Sequence, residues 1–387
     1  MRYNWKRNCK HYIGYIPCKP IKKYGFLNCD NCKYYSPLTK KYLIIKLGRL
    51  GDVMRTTCIL QGIKNMNKNA HITWLVGEES TPFLEGNPLI DKVLVHGIDS
   101  MLTLQNEKYD LLINLDIDPP STAIANIVNA DKKLGYYMDE EDGKTSTYNP
   151  EADYLLEIAL SDILKKDNKK TYPQQIYDAI KLPYNKEEYV YNLPESGKEF
   201  IREFRKKYDI KSTDLVIGLN TGSGDTWPLK KWTIEGFAGL IDRLHNQLNA
   251  KIILLGGRYE IERNYELFKR HLMDRHYKIQ SQAQTPVIDA TGDNSIHEFA
   301  HLINLCDVIV TGDTAALHLA LVLKKPVVAL FGPTSAAEID LFGRGIKIIS
   351  KIPCVTCYNR KCDKKPNCMD LITVEEVFNA VKKLAKK

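Results

Sequence analysis

Apolar positions recur along the chain in two rhythms, and their alternation predicts the architecture. Tyr42-Leu43-Ile44-Ile45-Lys46-Leu47 is a short β-branched and apolar run ending at Gly48, the profile of a strand buried in a parallel sheet. From Asp52 to Asn67 the apolar residues Val53, Cys58, Ile59, Ile63 and Met66 fall at helical spacing, and strand-like runs return at 71–77, 91–97 and 109–116. Residues 152–182 read as helical, and 185–194 has the polar, proline-punctuated composition of a linker. A second alternating series then predicts strands at 215–221, 251–257, 287–290, 307–312 and 326–331. Helices at 233–248, 260–272, 295–306 and 314–323 separate them, and a last helix starts at Thr373.

Strands alternating with helices imply doubly wound parallel sheets, here in two units of about 150 residues each, a common domain size. The expected division is a basic cysteine-rich segment at 1–41, one Rossmann-like domain at 42–190, a second at 191–350, and a cysteine-rich segment with a helix at 351–387.

Composition changes this picture mainly at the ends. The formal charge is +8, yet residues 1–41 carry ten Lys or Arg against one acid and 351–387 carry nine against four, so the middle is acidic. Such ends suit an anionic membrane surface or an acidic acceptor, or serve only as solubilising charge. No run of about 18 apolar residues occurs, and the N-terminus has no apolar stretch of a secretory signal. A soluble cytoplasmic protein, peripheral at most to the inner membrane, is the expectation. Nucleic-acid binding is disfavoured because no helix-turn-helix, finger spacing or aromatic platform accompanies the basic ends.

Eight of the ten cysteines lie in those two ends: Cys9, Cys18, Cys29 and Cys32 before the first strand, and Cys354, Cys357, Cys362 and Cys368 after the last. A cytosolic chain does not favour disulfides. Each quartet has the four thiolates of a closed structural site and one C-x₂-C pair, with His11 as a substitute ligand in the first; zinc is the default metal. Free surface thiols are the alternative. Cys58 and Cys306 sit in apolar helical patterns and read as packing residues.

The candidate chemistry lies in loops that follow strands. Lys46-Leu47-Gly48-Arg49-Leu50-Gly51-Asp52 turns a strand into a helix, at the strand end where open α/β sheets bind ligands. Asp52 is either a helix cap, which its position alone favours, or a base facing the cleft. Asn220 through Pro228 is rich in small and hydroxyl residues, suiting either a phosphate cradle or a plain turn. Thr311-Gly312-Asp313-Thr314-Ala315-Ala316-Leu317-His318 ends a strand and opens a helix, with His318 one turn after Thr314. Free N–H groups at that helix end suit a diphosphate, although a histidine in an apolar helix is more often a satisfied core residue. Phe331-Gly332-Pro333-Thr334-Ser335 ends another strand. All these loops share one edge of their sheets, which points to a composite site between two α/β units.

KLGRLGD, the loop before WPLKKW, GDTAALH and FGPTS, in this order, resemble glycosyltransferase family 9 over roughly residues 42–385. The resemblance implies a GT-B fold of two Rossmann-like domains and inversion at the sugar carbon without a catalytic metal. It implies transfer of a heptose from an ADP-heptose donor to a hydroxyl of a lipopolysaccharide core sugar or of a protein. On it, Asp52 is the general base, Asp313, Thr314, Ala315 and His318 hold the donor diphosphate, and Thr221 and Ser223 add phosphate contacts. Lys46 and Arg258 are further donor-side candidates. Where family members commonly place Lys or Arg just before Trp-Pro, this chain has Asp225-Thr226, with Lys230, Lys231 or Lys46 as possible replacements. The Cys354–Cys368 quartet resembles an element found near the C-terminus of many members, in an iron-binding form in autotransporter heptosyltransferases, so iron rivals zinc. Another nucleotide-sugar transferase or epimerase, or a non-catalytic binder, is the alternative function.

Overall fold

The two alternating series fold into two six-stranded sheets with the same strand order. In the computed structural model, which describes residues 3–273 and 286–386, the first sheet comprises β1 (Lys40–Ile45), β2 (Ala70–Val76), β3 (Lys92–Val95), β4 (Lys108–Asn114), β5 (Asn129–Met138) and β6 (Thr145–Thr147). Their order is β3-β2-β1-β4-β5-β6, parallel except for β6, which runs antiparallel to β5. The second sheet holds β7 (Val216–Asn220), β8 (Lys251–Leu255), β9 (Val287–Asp289), β10 (Val308–Gly312), β11 (Val327–Phe331) and β12 (Gly345–Ile349), in the order β12-β11-β10-β7-β8-β9. Read from its first strand, that is the order of the first sheet again. In each, the strand order reverses between the first and fourth strands, β1/β4 and β7/β10, and at such a switch point the flanking loops part to leave a crevice.

The central strands are legible in the sequence because helices cover both their faces, so nearly every side chain is apolar. Leu43, Ile44 and Ile45 of β1 and Ile252, Ile253 and Leu254 of β8 are all fully buried. The outer strands are not: β5 runs through Asp131-Lys132-Lys133, and every residue of β12 keeps some solvent contact. One hydrophobic cluster joins residues of both sheets, among them Ile44, Val53, Ile253, Leu317 and Ala329. The supposed linker is part of that contact. Tyr189 is buried, Tyr191 stacks on Phe83 with centroids 4.6 Å apart, and Glu188 forms a two-point ion pair with Arg344 at 2.7 and 3.0 Å.

Two long helices expected from periodicity are interrupted. The one after β1 splits into Leu50–Thr56 and Ile59–Met66, because Thr56 and Thr57 donate their hydroxyls back to Asp52 O and Met54 O. The stretch 152–182 becomes three short helices, restarted by the caps Ser161 and Thr171. Residues before β1 lie at the start of that strand, where Leu38 N donates to Asn8 O and Thr39 Oγ1 to Asn69 O. That is the end of the sheet opposite the crevice loops, roughly 20 Å away along a six-residue strand.

Candidate active site

In the first sheet the loop after β1 is shaped by Asp116, which follows β4 across the switch point. Its carboxylate accepts from the backbone N–H of Leu47 and of Gly48 and pairs with Lys46, whose Nζ also donates to Leu115 O. Burial disfavours the Lys46 charge, but Asp116, with Tyr172 and Asp52, outweighs it and keeps the amine protonated well above its ordinary range. Lys46 is thus spent within the first half and does not line the cleft, which corrects its expected donor-side role.

Asp52 is not the helix cap. The helix Leu50–Thr56 is capped at Arg49 without a side-chain bond, and Asp52 stands in its first turn. Its carboxylate pairs with Arg55 at 2.8 Å and remains 39% exposed to the cleft. Burial would raise its pKa, yet Arg55, Lys46 and His318 together hold it below the usual aspartate value. Asp52 is therefore a carboxylate at neutral pH, able to accept a proton.

In the second sheet, Asn220 at the end of β7 donates to Gly222 O, Thr311 Oγ1 and Thr314 Oγ1, tying the two switch-point loops together. Beneath the 222–224 loop lies buried Glu260, which accepts from the backbone of Gly224 and Gly257. A Cβ on Gly222 would fall 2.0 Å from Glu260 Oε1, so only glycine fits. Lys230 donates to both the backbone and the carboxylate of Asp313 at 2.9 Å. Burial would raise the Asp313 pKa, but Lys230 and then His318 pull it down to about 2.

The helix Ala315–Val322 begins at Thr314, whose side chain makes no capping bond, and its first N–H groups open on the cleft. His318, one turn in, is buried; desolvation outweighs Asp313 and lowers its pKa to about 4, so the imidazole is neutral at pH 7. Its Nδ1 has no hydrogen-bond partner. This helix packs on Leu50–Thr56, and the two halves enclose a cavity of about 720 Å³. A volume in that range suits a small-molecule or cofactor ligand.

Residues 101–367 match glycosyltransferase family 9 (heptosyltransferase). The chain belongs to glycosyltransferase family 9. It is 24% identical to lipooligosaccharide heptosyltransferase 2 of Haemophilus influenzae over 76% of this chain and 83% of that protein. It is 22% identical to lipopolysaccharide heptosyltransferase 1 of Campylobacter coli over 89% and 98%. Among solved structures, a family 9 glycosyl transferase from Veillonella parvula superposes with a TM-score of 0.70 at 21% identity, covering 90% of this chain and 97% of that one. Escherichia coli ADP-heptose heptosyltransferase II follows at 0.63 and 19%, covering 89% and 98%. The iron-containing dodecameric glycosyltransferase TibC of Escherichia coli gives 0.53 at 13%, covering 90% and 79%. The family makes this chain a nucleotide-sugar glycosyltransferase, and the two sheets have the GT-B arrangement.

Within that family 9 cleft, Asp52, Ser223, Asp313, Thr314, Ala315 and His318 converge as the sequence predicts. Thr221 does not line it, being buried against Asn264, and Arg258 lies outside, donating to the Tyr259 hydroxyl. Sequence reasoning missed Arg55, Glu260, Glu338 and Tyr358, all of which face the cavity, and Lys230, one of the candidate replacement cations, faces it too. Tyr358, directly after Cys357, brings the C-terminal cysteine segment to the cleft wall: its hydroxyl donates to Glu338 and accepts from Ser335 N.

The cysteine quartets do not take the expected form. Among the described residues no group of three or more His, Cys, Asp or Glu side chains is placed to hold a metal ion. Cys9, Cys18, Cys29 and Cys32 instead line, with His11 and the rings of Tyr12, Tyr34 and Tyr35, a separate cavity of about 470 Å³. In the second quartet Cys362 is exposed and Cys354, Cys357 and Cys368 are half-buried.

Proposed function

We propose that this enzyme transfers a heptose from ADP-heptose to a hydroxyl of a lipopolysaccharide core sugar, with inversion at the anomeric carbon. The observation that carries the reading is the apposition of two helix starts. Asp52, a partly exposed carboxylate on the first half, faces the Asp313–His318 helix start on the second, across a cavity of suitable size. Residues 42–190 form the acceptor-side domain and 191–350 the donor-side domain.

In the proposed reaction the donor diphosphate lies against the N–H groups of Ala315 and Ala316, with Ser223 and Lys230 beside it. The neutral His318 lines the same part of the cleft, one turn into the helix. The acceptor oxygen attacks the anomeric carbon as the bond to the ADP oxygen breaks, and Asp52 takes the hydroxyl proton. The names of the Haemophilus and Campylobacter relatives support the heptose and the acceptor.

The test is to supply ADP-, UDP- and GDP-sugars to the purified enzyme with a heptose-deficient core acceptor and follow nucleotide release. A preference for UDP overturns the donor assignment. Asp52→Asn should lower kcat by about 10²- to 10⁴-fold with ADP affinity nearly unchanged. Retained turnover removes Asp52 as the base.

The two cysteine quartets, in this reading, hold structural zinc or iron, a role supported by the thiol set and by the iron-containing TibC. The thiols would have to draw together from their present places, so metal analysis decides: less than about one ion per chain excludes it. Peripheral contact of the basic ends with an anionic inner membrane belongs to the same reading, since no helix among the described residues is long and apolar enough to cross one.

A further inference from the structure

Arg55 lies one turn after Asp52, at the seam between the halves, and two carboxylates from opposite halves share it. Nη2 meets Asp52 Oδ1 at 2.8 Å, and Nη1 meets Glu338 Oε2 at 3.6 Å. The guanidinium carbon lies over the Tyr172 ring, 3.8 Å from its centre, and the Tyr172 backbone N–H donates to Glu338 O at 2.8 Å. Tyr358 holds the other Glu338 oxygen at 3.1 Å. Arg55 is largely buried, yet its Nε has no partner.

A guanidinium satisfies one carboxylate best through two parallel bonds. Here the fork is divided, one nitrogen to each half, with the ring beneath it. The direction of the Asp52 carboxylate then depends on Glu338 standing where it does, and so on the halves being together. We infer that Arg55 is the positioning residue of the transfer reaction, aiming Asp52 into the cleft and tying that aim to the contact between the halves through Glu338. The inference rests on the reading of Asp52 as the base.

The electrostatics agree with the geometry. Asp52 is faced by Arg55, Lys46 and His318, and Arg55 by Asp52, Glu338, Tyr172 and Tyr189. Lys46 is committed to Asp116 and His318 is neutral, so Arg55 is the cation whose removal changes Asp52 most. Without it the carboxylate loses its hydrogen-bonded cation and its pKa rises. Without the Glu338 charge, Arg55 acts on Asp52 alone and the pKa does not rise.

The experiment compares Arg55→Ala, Arg55→Lys, Glu338→Gln and Asp52→Asn in the full chain, with ADP-heptose and the core acceptor across pH. Arg55→Ala should lower kcat by about 100-fold, as a misaimed group does. It should also move the acidic limb of the rate profile upward by about one pH unit or more. Added guanidinium should recover part of that kcat, and Arg55→Lys should keep the limb near its wild-type position at reduced rate. Glu338→Gln should lower kcat with no upward shift. An Arg55→Ala profile with the wild-type limb, or a loss that guanidinium leaves untouched, overturns the inference while an inactive Asp52→Asn keeps the base. An active Asp52→Asn removes both. Should Arg55→Ala not fold, judged by melting and ADP binding, Arg55→Lys and Glu338→Gln decide: an upward shift in Glu338→Gln, or full activity in both, overturns it.

Discussion

Gly51 and His318 meet across the seam of the two halves so closely that a Cβ on Gly51 would lie 3.0 Å from the imidazole Cδ2. The glycine lets the helix carrying Asp52 approach the helix that faces the donor. In an exposed helix a larger residue at this place would gain as much as about 1 kcal/mol of helix propensity over glycine. At the packed seam that gain is outweighed, so Gly51→Val should lower the melting temperature and also lower kcat/KM about tenfold or more by prying the helices apart. Unchanged kinetics would show that the halves do not need this contact.

Lys230, just after Trp227-Pro228, lines the cleft and compensates the buried Asp313 carboxylate. Removing one member of a buried pair leaves the other uncompensated, at a cost of about 3–5 kcal/mol. Lys230→Ala is thus expected to weaken ADP binding in calorimetry and to lower the melting temperature together. A loss of affinity at unchanged stability would mean that Asp313 finds another partner.

Stability should fall on mild acidification. The His318 pKa drops from 6.5 in the unfolded chain to about 4 in the fold, so between those values the unfolded state binds the extra proton. The contribution is fully present above about pH 6.5 and is lost as pH falls towards 4, on the order of 3 kcal/mol in all. Asp313, lowered from 3.8 to about 2, adds a further loss below that. Thermal melts of wild type and His318→Asn from pH 7 to 4 check this; the variant should show the shallower slope.

Gly222→Ala should distort the loop after β7, because Glu260 occupies the place of a side chain there. The Glu260 carboxylate also holds the Gly224 and Gly257 N–H groups, so the two glycine loops would shift together. We expect ADP affinity to fall about tenfold or more, the scale of one to two lost or strained hydrogen bonds. An affinity equal to wild type would separate this loop from the nucleotide.

The sequence was most readable where burial is two-sided. Strands β1, β7, β8, β10 and β11 carry little but apolar residues, and the loops after them could be placed without coordinates. Outer strands β5 and β12 were invisible because their exposed residues break the pattern. Within the site, Asp313, Thr314 and His318 were legible from strand-to-helix spacing, whereas Lys46 was misjudged: proximity in sequence could not reveal that Asp116, 70 residues on, claims it. Arg55, Glu338 and Tyr358 escaped for the same reason. Arg55 and Glu338 acquire their roles from each other across the seam, Tyr358 takes its place from Glu338 some 20 residues before it, and nothing local marks any of them as part of a site. Thr56 and Thr57 did carry a signal, since adjacent hydroxyl residues inside a helical pattern can compete for its carbonyls.

The Lys46–Asp116 pair has one more consequence. By compensating the lysine beside the first crevice loop, it leaves Arg49 and Arg55 as that half's cations on the cleft, Arg55 paired with the proposed base Asp52, while Lys230 and the open helix start belong to the second half. In the proposed reaction an anionic leaving group is then retained by one half while the newly glycosylated hydroxyl is released from the other.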